Sequence, residues 1–137
     1  MRFPTADTES LVRLLVDSSF VIDYLSGDAG AGARWQRAFE DGDEPVVTEI
    51  VVCEVRTGLR QDEESILRAF LEPVEFVQPG PEAALVAGRW RRAARSTGRS
   101  LSLADALIAA AADAAGAAVL TRNVRDFALT PVRIETY

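Results

Sequence analysis

A chain of 137 residues with 48% hydrophobic content is long enough for one domain with a real core, and its net charge of −6 gives no bulk attraction to a polyanion. It has no His, and all 15 basic residues are Arg. That excludes Ser-His-Asp triads, histidine zinc sites, lysine Schiff bases and lysine-dependent phosphate loops, leaving chiefly Asp, Glu, Ser, Thr and Arg for catalysis.

Residues 1–13 read as a polar leader that lacks the basic-then-apolar order of a signal peptide, and residues 14–137 as one domain. LLV (14–16) predicts a strand and SFVIDYL (19–25) a helix with Val21, Ile22 and Leu25 on one stripe. AGAGARWQRAF (29–39) predicts a second helix with Trp35, Ala38 and Phe39 inward, closed by Asp41 and Gly42. PVV (45–47) is a short strand. Thr48 then caps a helix running to Leu59 with Ile50, Val51, Val55 and Leu59 on its apolar face. Cys53, on that helix, is the single cysteine; with no internal disulfide to make, the chain suits a reducing, cytoplasmic setting.

Residues 63–71 predict a helix with Ile66, Leu67, Phe70 and Leu71 as its stripe, and VEFV (74–77) alternates like a strand. Pro81 opens a long helix to about Thr97, and Gly98 ends it. LSLADALIAAAADAAGA (101–117) is a further helix, capped by Ser102, with Asp105 in its first turn and Leu103, Leu107, Ile108, Ala111 and Ala112 inward. AVL (118–120) is a strand, Thr121 to Phe127 a turn with a short helix, and VRI (132–134) a last strand. Short apolar strands alternating with helices imply an α/β fold whose mostly parallel sheet is covered on both faces. No apolar run reaches the roughly 20 residues that a membrane span needs.

In such a sheet, function gathers at the carboxyl ends of the strands. Asp17 follows the first strand directly. Glu54 lies on the helix after the second, Asp105 in the first turn of the helix at 102–116, and Asp126 shortly after the strand at 118–120. Four carboxylates from four segments can converge there. They would repel one another without a cation, and hard oxygen ligands select Mg²⁺ or Mn²⁺. Taken singly, each has a plain structural reading: Asp17 as a helix cap, Asp105 as a first-turn acid, Asp126 as a turn residue, and Glu54 as an acid at the edge of the core face paired with an Arg.

The four blocks around these acids resemble those of the PIN-domain ribonucleases, specifically the VapC toxins of toxin–antitoxin pairs, from about Leu14 to Ile134. "LLVDSSFVIDYL" is similar to the family's opening strand, Asp and helix. "VVTEIVVCEVRTGL" is similar to its second block, whose Glu stands four residues before a Gly, which selects Glu54 rather than Glu49. "LSLADALIAAAA" selects Asp105 rather than Asp113, and "VLTRNVRDF" brings Thr121, Asn123 and Asp126. Some members carry an acid where this chain has Asn123. The resemblance implies a PIN-like three-layer fold and a Mg²⁺- or Mn²⁺-dependent endoribonuclease, commonly a homodimer, that cuts a structured RNA such as tRNA or rRNA and is neutralised by a VapB-like antitoxin. It implies that Asp17, Glu54 and Asp105 hold the metal, Asp126 completes the acidic set, and Ser19, Thr121 and Asn123 orient carboxylates or water. The alternative is a PIN-like domain that binds RNA or an antitoxin without cutting.

RNA approaching an acidic protein needs a local positive surface. Arg89, Arg91, Arg92, Arg95 and Arg99 precede the third acidic block, and Arg122 and Arg125 flank the fourth, so these seven are the candidate RNA contacts. Their plain reading is a solvated helix face. Haloacid-dehalogenase-like phosphatases and response-regulator receivers fit poorly, because both need a Lys and the former a second Asp where Ser19 stands.

Overall fold

The computed structural model describes residues 12–137; most of the leader read from the sequence lies outside them. Val12 and Arg13 belong to the folded body instead. Val12 packs against the core, and its backbone N–H reaches Asp43 Oδ1 at 3.2 Å. Strand β1 begins at Arg13.

In chain order the elements are β1 (Arg13–Val16), α1 (Ser18–Leu25), α2 (Ala29–Glu40), β2 (Glu44–Val47) and α3 (Glu49–Thr57). A single 3₁₀ turn (Gln61–Glu63) leads into α4 (Glu64–Leu71), followed by β3 (Glu75–Phe76), α5 (Gly80–Ser96) and α6 (Leu103–Ala115). The chain ends with β4 (Ala118–Leu120), α7 (Val124–Phe127) and β5 (Ile134–Glu135). The five strands are all parallel in the order β3-β2-β1-β4-β5. Helices cover both faces of this sheet, giving the three-layer α/β arrangement that alternating strands and helices imply.

The three central strands have their apolar residues sealed on both sides. Leu14, Leu15, Val16, Val46, Ala118, Val119 and Leu120 are wholly buried, which is why they read as unbroken apolar runs. Behind them, α5 lies along α6 through Ala83, Ala87, Ala94, Ala106 and Ala110, whose missing bulk permits the close approach. Trp35 stacks on Phe70 with ring centroids 4.8 Å apart and leans on Phe20 at 5.6 Å, tying α1, α2 and α4 together.

Several helix faces turn further than their apolar stripes suggest. Ile22, Phe39, Ile66 and Leu103 were expected inward but are between 42% and 59% exposed. In each case the core is filled by neighbours on a narrower arc: Phe20 and Val21 on α1, Trp35 and Ala38 on α2, Leu67 and Phe70 on α4, and Ala106 with Ile108 on α6. Helix α3 stops at Thr57, where Gly58 caps it, so Leu59 packs from a loop. Strand β5 pairs through Ile134 and Glu135 rather than 132–134, because its register is set by Val119 and Leu120 of β4. None of the described helices is long and apolar enough to cross a membrane.

Candidate active site

Strands β2 and β3 lie to one side of β1, and β4 and β5 to the other. The connection therefore reverses between β1 and β4, and the crevice above their carboxyl ends is the natural ligand position in an open parallel sheet. Asp17 and Thr121 are the first residues beyond those two ends. Asp17 is pinned by its backbone N–H, which donates to Leu120 O at 3.0 Å, and its side chain caps α1.

The Asp17 carboxylate is 1% exposed, and its two oxygens differ. Oδ2 accepts from Ser19 Oγ at 2.9 Å and from Thr121 Oγ1 at 2.8 Å, with a longer contact of 3.4 Å from the Ser19 backbone N–H. The two hydroxyls are themselves oriented. Ser19 Oγ accepts the Arg122 N–H at 3.1 Å, and Thr121 Oγ1 accepts the Asn123 N–H at 2.8 Å. The two hydroxyls also lie 3.1 Å apart, but each has one proton and an ionised carboxylate can only accept, so the shorter contacts to Oδ2 are those in which both donate. Oδ1 has no partner among the described residues. A buried, unpaired carboxylate oxygen is costly, and a bound cation would offset that cost.

Asp105 sits in the first turn of α6, half-buried, where Ser102 Oγ accepts its backbone N–H at 3.0 Å as the cap expected from sequence. Burial first, then the charge of Asp17, pushes its carboxyl up to about 6; Asp126 and Glu54 push in the same direction, against a hydrogen bond with Ser102. The charges of the other three sequence-predicted acids thus all act on Asp105. The four do not share one depth. Asp17 is enclosed, Asp105 partly open, and Glu54 and Asp126 exposed. Glu54 needs no Arg partner, contrary to its plain reading, because α3 turns it outward; it forms no ion pair among the described residues. Among the described residues, no three Asp, Glu or Cys side chains form a ready-made cation cage. Asn123 is half-buried at the start of α7 and makes no side-chain cap.

The seven candidate cations separate into two kinds. Arg91 Nε donates to Leu101 O at 3.0 Å and clasps the α5–α6 connection, a structural task. Arg122 grips Asp23 with two bonds, Nε to Oδ2 at 2.9 Å and Nη2 to Oδ1 at 3.2 Å. Arg89, Arg92, Arg95, Arg99 and Arg125 are exposed, with no ion pair among the described residues. Of these, Arg99 and Arg125 line one cleft of about 370 Å³ together with Ser100, Asp126 and Leu129, so two distant segments bring positive charge to the edge of the acidic site.

Sequence reading missed Asp23 and Tyr137. Tyr137 Oη donates to Asp23 Oδ2 at 2.6 Å across 114 residues, and no local pattern announces such a pairing.

Residues 14–131 match the PIN domain family. A curated relative, Ribonuclease VapC19 of Mycobacterium tuberculosis (strain ATCC 25618 / H37Rv), is 33% identical over 117 residues, covering 85% of this chain and 94% of the relative. Among solved structures, VapBC2 from Rickettsia felis bound to a DNA fragment from their promoter superposes with a TM-score of 0.80 at 19% identity, covering 92% of this chain and 99% of the other. A toxin–antitoxin complex from Klebsiella pneumoniae superposes with a TM-score of 0.70 at 27% identity, over 86% and 92% of the two chains.

Proposed function

The chain belongs to the PIN-domain family, among its VapC toxins, and on that footing we propose that it is a Mg²⁺- or Mn²⁺-dependent endoribonuclease acting on a structured cellular RNA, tRNA or rRNA. The single observation that carries the reading is Asp17: a buried carboxylate with Oδ2 held by two hydroxyls and Oδ1 without a partner among the described residues, whose charge acts on Asp105 together with those of Glu54 and Asp126. This donor set, all oxygen and strongly anionic, suits a hard divalent cation that keeps some of its waters.

Asp17, Glu54 and Asp105 would hold the ion, with Asp126 completing the acidic wall. When bound, such an ion polarises a phosphodiester and lowers the pKa of water for in-line attack. The chain's own side chains do the rest. Ser19 and Thr121 hold Asp17 through Oδ2 and leave Oδ1 without a donor among the described residues, and Asn123 contributes its backbone N–H to Thr121. Arg99 and Arg125 offer phosphate contacts in the cleft that reaches Asp126, with exposed Arg89, Arg92 and Arg95 adding positive field along α5. Arg91 and Arg122 are withdrawn from that role by the bonds they already make.

The same reading includes a VapB-like antitoxin, self-association into a homodimer and action in the cytoplasm. A groove of about 420 Å³ between α1, α3 and α4 supports the antitoxin partner. Its lining includes Ile22, Leu25, Val55, Leu59 and Ile66, so the two apolar residues that α1 and α4 turn away from the core meet there, and Val55 adjoins Glu54.

Sequencing of cleaved RNA ends after induction of the wild-type protein beside Asp17→Asn tests the activity. One set of RNA ends that depends on divalent metal in the wild type and is absent from the variant is expected. Intact RNA with purified wild type at millimolar Mg²⁺, or equal cutting by both proteins, would contradict the reading.

A further inference from the structure

We infer that Asp23 and Tyr137 are positioning residues that set the geometry of Asp17 through Arg122. The inference rests on the metal-dependent reading above and adds two residues to it: Asp23, which lies in the first block but was given no role there, and Tyr137, which lies outside all four blocks.

The connection is continuous. Tyr137 Oη donates to Asp23 Oδ2 at 2.6 Å. Arg122 closes a fork on the same carboxylate at 2.9 and 3.2 Å. The backbone N–H of Arg122 donates to Ser19 Oγ at 3.1 Å, and Ser19 Oγ donates to Asp17 Oδ2 at 2.9 Å. Arg122 is therefore the joint: its side chain fixes the turn after β4, and its amide fixes the proton of Ser19. The neighbouring residue of the same turn, Thr121, supplies the other hydroxyl on Oδ2. The ring of Tyr137 meets Phe20 edge to face at 5.0 Å, which anchors the latch on α1 beside Ser19.

Stability does not account for this arrangement. The Arg122 side chain is 57% exposed, and surface ion pairs of that kind contribute little to folding. A planar guanidinium held at two points supplies direction instead, which a flexible point charge would not. The charge state suits the task. Burial opposes ionisation of Asp23, but hydrogen bonds from Tyr137 and Arg122 and the charge of Arg122 outweigh it and hold the carboxyl below its usual range. Burial, then the bond to Asp23, pushes the Tyr137 phenol up to about 12, so it remains a donor across the physiological range.

The test is Mn²⁺ binding measured by calorimetry without RNA, beside the metal dependence of RNA cleavage. Four proteins are compared: wild type, Asp23→Asn, Tyr137→Phe and Arg13→Gln. The last removes the part-buried hydrogen bond to Ala115 O at 2.7 Å along with the ion pair to Glu75, both at the opposite end of β1, and reports a purely structural loss. Loss of partners that orient a metal ligand costs roughly 10-fold or more in metal affinity. Asp23→Asn should therefore raise the Mn²⁺ Kd about 10-fold, with the KM for RNA at saturating metal unchanged. Tyr137→Phe, which alters no charge, should move the Kd in the same direction by less. Arg13→Gln should lower the melting temperature alone. Unchanged Mn²⁺ affinity in folded Tyr137→Phe and Asp23→Asn overturns the inference; if Asp23→Asn does not fold, Tyr137→Phe decides it. A wild type that binds no Mn²⁺ overturns the metal reading and this inference with it.

Discussion

Asp105 should destabilise the metal-free protein at neutral pH, and replacing it with Asn should make that protein more stable. Its carboxyl is raised from 3.8 to about 6 by burial and by the charges of Asp17, Asp126 and Glu54. A folded-state value above the unfolded one means that the folded protein binds the proton more tightly. The associated stability is fully present below pH 3.8 and is lost as pH rises through about 6. The rise corresponds to about 3 kcal/mol if none of it is screened. Asp105 is partly open to solvent, which reduces the effect to about 1–2 kcal/mol. For a domain of this size that is a gain of roughly 4–8 °C in Tm for Asp105→Asn at pH 7. The substitution keeps the shape of the side chain and the backbone bond to Ser102. Thermal melts in chelator from pH 4 to pH 7.5 provide the assay. The two proteins should melt together near pH 4 and separate as pH rises, the variant the more stable. Addition of Mn²⁺ should then stabilise the wild type and leave Asp105→Asn nearly unmoved. Parallel melting curves at every pH would refute the reasoning, because they would mean that these acids do not share one field.

Two other outcomes follow from the same geometry. Changing Arg99 and Arg125 together to Gln should raise the KM for RNA and flatten the dependence of log K on log salt by about 1.4–1.8, two contacts at about 0.7 each on single-stranded or about 0.9 on duplex parts of the RNA; an unchanged slope in a cleavage-competent variant would show that the cleft holds no phosphate. Ile66→Glu, on a side chain 52% exposed in the groove between α1, α3 and α4, should release the protein from its co-expressed antitoxin while RNA cleavage by the purified toxin persists. Continued neutralisation of Ile66→Glu in a growth assay would remove that groove as the docking surface.

What the sequence discloses follows from how local each cause is. The strands at 14–16, 45–47 and 118–120 are legible because burial on both faces demands apolar residues at every position rather than alternate ones. Asp17, Thr121 and Asp105 are legible because their positions are set by backbone events next to them: a strand end, a strand end and a helix cap. Helix faces are less legible, since an apolar stripe gives a direction but not its width. Ile22 and Ile66 lie on the stripes of α1 and α4 yet outside the arc that the core fills, and what they line instead is a groove. Arg34 shows the reverse: a cation in the α2 sequence is 6% exposed, because Asp43 at 3.9 Å and Glu135 at 3.5 Å receive it from two other segments.

The role of an Arg is the hardest thing to read, because it depends on a partner rather than on a pattern. Arg122 and Arg125 stand three apart in one turn, flanking the same acidic block. One is bound by Asp23 on α1, with Tyr137 beyond β5 on the same carboxylate; the other has no ion pair among the described residues and lines a cleft with Arg99. A charge that is already paired can orient a neighbouring carboxylate but adds little attraction for a phosphate, whereas a free one can do the latter. The proposed division of labour between holding Asp17 and holding RNA therefore rests on contacts spanning about a hundred residues, and each half of it is open to a single substitution: Tyr137→Phe should alter metal binding with RNA binding intact, and loss of Arg125 should alter RNA binding with metal affinity intact.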